Sequence, residues 1–88
     1  MVNDTSLLQF PTDYPIKVVG RPTDVFRARV QEIILRHVTL ADPARQSERL
    51  SGSGNYLSLT YVVRAESREQ ITALITELSA CEEVLFLI

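Results

Sequence analysis

In Gly54-Asn55-Tyr56-Leu57-Ser58-Leu59-Thr60-Tyr61-Val62-Val63-Arg64-Ala65, Leu57, Leu59, Tyr61 and Val63 alternate with Ser58, Thr60, Val62 and Arg64. That period of two belongs to a half-buried strand with its apolar set on one face. Gly52 and Gly54 just upstream give the backbone freedom for a tight reversal, so a preceding strand turns back into this one. The partner is Ala44–Leu50, polar on both faces, as suits a charged edge strand that discourages further pairing.

Downstream, Ser67-Arg68-Glu69-Gln70 reads as a capping box, with Ser67 reaching the third amide and Gln70 reaching back. The helix it opens carries Ile71, Leu74, Ile75 and Leu78 on one stripe and stops near Ala80. Val84–Ile88 is then a short, wholly apolar last strand.

Towards the start of the chain, Tyr14–Val19 is the other clear alternator. Ile16 and Val18 point inward, and Pro15 sits at the strand start or an unpaired edge. Gly20-Arg21-Pro22-Thr23 interrupts it, and Thr23 or Asp24 caps a helix that runs to about His37. Phe26, Val30, Ile33, Ile34 and His37 form its apolar stripe, and Val38–Pro43 is a connector.

Residues 1–13 are read as an N-terminal arm and 14–88 as one domain. Strand, helix, strand, strand, helix, strand is the order of a split βαβ sandwich, so the expected fold is α+β and ferredoxin-like. Right-handed crossovers put both helices on one face of a four-stranded antiparallel sheet, with the first and third strands central. The helix-free face would carry Lys17, Val19, Ser58, Thr60, Val62 and Arg64. If Phe86 points into the core, Leu85 and Leu87 join them. Val19, Val62, Leu85 and Leu87 are therefore the expected partner-binding residues, as a bare apolar patch. The competing expectation is that Leu7, Leu8 and Phe10 fold over this patch.

Composition narrows the function classes. Nine basic against eleven acidic residues leave a net charge of -2, without the basic footprint of a nucleic-acid or anionic-membrane binder. An RNA-recognition reading of this topology also needs aromatics on the open face, and only Tyr56 is a candidate there. Cys81 is the sole cysteine, so an internal disulfide is excluded and a reducing cytoplasm is the expected setting. No apolar run is long enough to span a membrane, and the first residues lack the basic start of a signal peptide.

Few side chains suggest chemistry. His37, the single histidine, has no nucleophile or orienting carboxylate placed beside it by sequence, so it reads as a helix-terminal residue. Cys81 lies next to Glu82 and Glu83, which disfavour a thiolate. One His and one Cys far apart make no metal site. No cofactor is implied, and the chain is read as a non-enzyme. Gly20, Arg21 and Thr23, at the junction of the first strand and helix, are the candidate ligand-binding residues, because free amides there with Arg21 alongside suit a small anion.

Phe10-Pro11, Tyr14 with Lys17 and Gly20, Arg36-His37, Gly54-Asn55-Tyr56 with Ser58, and Glu77-Leu78 before an apolar terminus together resemble the YbeD-like family of small bacterial proteins of unknown function. The resemblance runs from about Phe10 to Ile88 and rests on the ordered set rather than on one motif. It implies the same βαββαβ fold, which is similar to the ACT regulatory domains of amino-acid metabolism. Those domains commonly pair their sheets or edges and bind amino acids near a glycine that would correspond to Gly20. Cys81 and Leu85 depart from the family pattern. The expected function is a small non-catalytic regulatory or adaptor module acting through a protein partner or self-association, possible as a dimer. The alternative is an ACT-like sensor of an amino acid or anion.

Overall fold

The computed structural model describes residues 9–88. The elements are β1 (Thr12–Gly20), α1 (Asp24–His37), β2 (Thr39–Leu40), β3 (Ser47–Leu50), β4 (Leu57–Ala65), α2 (Arg68–Ala80) and β5 (Val84–Leu87), with one 3₁₀ turn at Pro43–Arg45. β1 and β4 are the long central pair, antiparallel from Thr12 opposite Ala65 to Gly20 opposite Leu57. β5 lies outside β1, while β2 and β3 share the outer edge of β4. The ferredoxin-like βαββαβ arrangement is thus present.

Five strands replace the expected four. The connector after α1 contributes the extra one, because Thr39 and Leu40 fall opposite Arg64 and Val63. Pro43 then breaks the edge, since it has no amide to donate, and Asp42 caps the 3₁₀ turn by accepting from the Ala44 amide at 3.0 Å. Pairing resumes only at Ser47, three residues later than the expected Ala44.

Both helices pack on one face. Ile16, Val18, Leu57, Leu59, Tyr61, Val63 and Ala65 of the sheet form a single core with Phe26, Val30, Ile33 and Ile34 of α1 and Ile71, Leu74 and Leu78 of α2. Phe10 packs against this same helix-side core, whereas Leu7 and Leu8, the rest of the expected cover, lie outside the described residues. Local chemistry sets the helix starts. The Thr23 hydroxyl accepts from the Phe26 amide at 3.1 Å, and that of Ser67 accepts from the Gln70 amide at 3.2 Å. Between β3 and β4, Gly54 takes a φ of 77° that a side chain would resist. The Ser51 hydroxyl and carbonyl close that loop by accepting from the amides of Tyr56 and Gly54.

Candidate functional site

Two surfaces follow from this layout: the free edge at β5, and the charged seam between the helices. At the edge, the register decides which side chains face out. Val18 stands opposite Leu87 and Val19 opposite Phe86, but Gly20 stands opposite Val84, so Leu85 is the extra residue of a bulge. Residues directly opposite one another share a face. Leu87 therefore sides with Val18 and packs on the core, and Phe86 sides with Val19 on the helix-free face. This corrects the expectation that Phe86 points inward with Leu85 and Leu87 outward; the bulge moves the alternation by one.

Val19 and Val62 occupy the helix-free face as expected, but they are only 4% and 5% exposed and so are not bare. What the solvent meets is Leu85 at 47%, Phe86 at 52% and Ile88 at 74%. Further across the same face the surface turns polar, where Asp13 pairs with Arg64 at 3.2 Å and Arg45 at 3.8 Å. The apolar patch is thus confined to the β5 corner. Phe86 and Ile88 were missed because an uninterrupted apolar run carries no alternation by which to assign faces.

Gly20, Arg21 and Thr23 do not converge on a shared cavity. Gly20 is buried, and a Cβ on it would lie 2.5 Å from the Phe26 ring and 2.6 Å from the Glu83 carbonyl oxygen. Close packing of β1 under α1 accounts for that glycine. The Thr23 hydroxyl is engaged by the helix cap. Arg21 is exposed, its guanidinium 5.0 Å from the centre of the Tyr56 ring, with Nη1 donating to the Asn55 carbonyl at 3.4 Å. That stacking places Tyr56 at the end of β4 against an arginine rather than on an open aromatic platform.

The helix seam went unforeseen. Glu77 of α2 accepts from Arg36, and its Oε1 lies 2.6 Å from His37 Nε2. Arg36 also reaches Glu32 at 3.0 Å, and Gln70 donates to the His37 carbonyl at 2.9 Å. The hydrogen bond from His37, with the nearby Arg36 charge adding to it, holds the Glu77 carboxyl below the usual carboxylate range against a smaller opposing effect of burial. Beside this seam a cleft of about 360 Å³ is lined by Arg29, Glu32, Arg36, Glu77 and Cys81. Glu82 and Glu83 complete its rim, and within it Arg36 pairs with both Glu32 and Glu77. Sequence separation of about forty residues hid the cluster; no local pattern announces it.

Fold and surface together define a small α+β domain of ACT-like fold with an apolar sheet edge. The solved ACT domain from GTP pyrophosphokinase of Chlorobium tepidum superimposes with a TM-score of 0.65 at 14% identity, covering 88% of this chain and 97% of that one. Protein HP0495 from H. pylori gives 0.69 at 10% identity, covering all of this chain and 94% of that one. At such identities the likeness concerns fold alone. Residues 5–88 match the family described as "Protein of unknown function (DUF493)", and the chain belongs to that family. Among its relatives, UPF0250 protein BPP0168 of Bordetella parapertussis is 42% identical over 71 residues, 81% of this chain and 78% of that protein. Among the described residues no helix is long and apolar enough to cross a membrane.

Proposed function

We infer that the chain is a non-catalytic regulatory or adaptor module that works in the cytoplasm by protein contact through the β5 edge. The observation that carries this reading is the exposure of Leu85 and Phe86 on a strand paired along one side only. An unpaired edge offers backbone donors and acceptors, and exposed apolar side chains add a desolvation gain when another chain is laid on it. The opposite edge is built differently. Glu48 of β3 is held by the fork of Arg27, with both bonds at 3.2 Å, so charge guards that side.

A photoreactive phenylalanine analogue placed at Phe86, with one at Gln31 on the exposed face of α1 as control, tests the reading in cells. Protein adducts from position 86 and none from position 31 are expected. Absence of adducts from position 86 overturns it.

The ACT-like fold supports sensing of a small ligand as the second reading, with the exposed Arg21 guanidinium, between buried Gly20 and the cap residue Thr23, as its anion contact. A thermal-shift screen of amino acids and small anions separates the two, since ligand at ~100 times its dissociation constant adds ~2.7 kcal/mol.

A further inference from the structure

We propose that the helix-free face of the sheet docks an acidic segment of a partner protein, with carboxylates on Lys17 and Arg49 and an apolar neighbour on Phe86. The assignment rests on the contact reading above and gives the partner its chemistry.

Register places the charges. Side chains alternate between the two faces along a strand, and residues directly opposite one another share a face. Lys17 stands opposite Thr60, and Thr60 opposite Ser47; two residues along, Val19 stands opposite Ser58, and Ser58 opposite Arg49. Lys17 and Arg49 thus flank β4 on the helix-free face, about 10 Å apart across it at ordinary strand spacing. The hydroxyls of Ser58 and Thr60 lie on the strand between them. Both cations are exposed, and neither belongs to an ion pair among the described residues. Further along the same face, Arg45 and Arg64 share the one carboxylate of Asp13.

The small net charge of the chain conceals this segregation. The face holds four cations and one acid, whereas the other described residues hold five cations and nine acids. Of those nine, Asp42 lies at the sheet edge and is engaged by the Ala44 amide, and Glu48 points to the helix side, where Arg27 holds it. A carboxylate-rich segment is therefore attracted to one face and repelled elsewhere, which selects both the partner and its seat.

The same face distinguishes a protein segment from a nucleic acid. Its central strands present Asp13, Pro15, Lys17 and Val19 from β1 and Ser58, Thr60, Val62 and Arg64 from β4. None is an aromatic on which bases could stack. Phe86 stands apart on β5 beside buried Val19, where it suits an apolar side chain next to the acids.

Fluorescence anisotropy tests the proposal with a fluorescein-labelled peptide, a leucine pair followed by a run of aspartate and glutamate, against single-stranded RNA of equal charge. The wild type is compared with a Lys17→Glu, Arg49→Glu double variant and with Arg29→Glu, Arg68→Glu. The second double variant makes the same change in net charge at exposed helix positions. Peptide binding should weaken at least ~10-fold in the first and less than ~2-fold in the second, with RNA bound more weakly than peptide. Lys17→Gln with Arg49→Gln should give the same ranking by a smaller factor, and circular dichroism reports the fold of each. No peptide binding by the wild type, equal weakening by both reversals, or tighter binding of RNA overturns the proposal. So does self-association in sedimentation that the Lys17→Glu, Arg49→Glu pair abolishes, since the occupant is then this chain's own acidic helix layer. If photoadducts from position 86 persist in the Lys17→Glu, Arg49→Glu background, the contact function stands and only the charged docking face is lost.

Discussion

His37 Nε2 lies 2.6 Å from Glu77 Oε1, and this contact ties the last turn of α1 to the third turn of α2. Arg36 reaches the other oxygen of the same carboxylate. Arg36 and His37, adjacent at the C-terminal end of α1, thus converge on one acid from the neighbouring helix.

The acid limb of the stability curve should show this. Interaction with His37 first, then Arg36, depresses the Glu77 pKa below its ordinary 4.5. A depressed folded-state value means stability that is present above the unfolded pKa and lost as pH falls through the folded one. Urea titrations from pH 7 downward should therefore show wild-type stability declining below about pH 4.5. The decline should be shallower in Glu77→Gln. Equal acid slopes for the two proteins would mean the seam contributes nothing to pH dependence.

Gly20→Ala should destabilise the domain by about 1–3 kcal/mol through overpacking. The added methyl would meet the buried Phe26 ring at 2.5 Å and the Glu83 carbonyl at 2.6 Å, and the second of these is backbone that cannot swing aside. Phe26→Leu in the same chain relieves part of the clash, so the double variant should be more stable than the sum of the two single losses predicts. Chemical denaturation of the four proteins checks the cycle. Strict additivity would show that the ring is not what Gly20 accommodates.

Leu59 and Ile75 separate in the structure although both look like core by periodicity. Leu59 is 3% exposed at the centre of β4, whereas Ile75 is half-buried on the flank of α2. Leu59→Ala should cost about 2–5 kcal/mol. Ile75→Ala should cost less than about 2 kcal/mol, because part of its surface is already in water in the free chain. Matched losses in urea would place Ile75 as deep in the core as Leu59.

These cases show where sequence reading succeeds and where it stops. β1, β4 and both helices were legible because period and burial coincide along Ile16–Val18, Leu57–Tyr61, Phe26–Ile34 and Ile71–Leu78. Thr39–Leu40 was not, since two residues hold no period and their pairing depends on where β4 happens to run. The Leu85 bulge is equally silent in an all-apolar strand, and it decides which residues the patch presents. Gly20 was recognised as special, but a tight turn and a close approach under Phe26 look alike in a single sequence.

Gln70 carries a heavier role than a capping box assigns it. Its Oε1 accepts from the Glu66 amide at 2.6 Å, one residue earlier than the expected Ser67, while its Nε2 donates to the His37 carbonyl at 2.9 Å. One side chain thereby satisfies an amide before α2 and a carbonyl at the end of α1, both helix-end groups without intrahelical partners. Ser67→Ala removes only the cap and should cost about 1 kcal/mol. Gln70→Ala removes both bonds and should cost more, since each such bond contributes roughly 0.5–1.5 kcal/mol. Gln70→Glu discriminates between the two contacts. A carboxylate still accepts from Glu66 but cannot donate to His37, so it should fall between wild type and Gln70→Ala at neutral pH. Amide exchange sharpens the test: the Glu66 amide should stay protected in Gln70→Glu and lose protection in Gln70→Ala. If Gln70→Ala costs no more than Ser67→Ala, the bond across the helices adds nothing to stability.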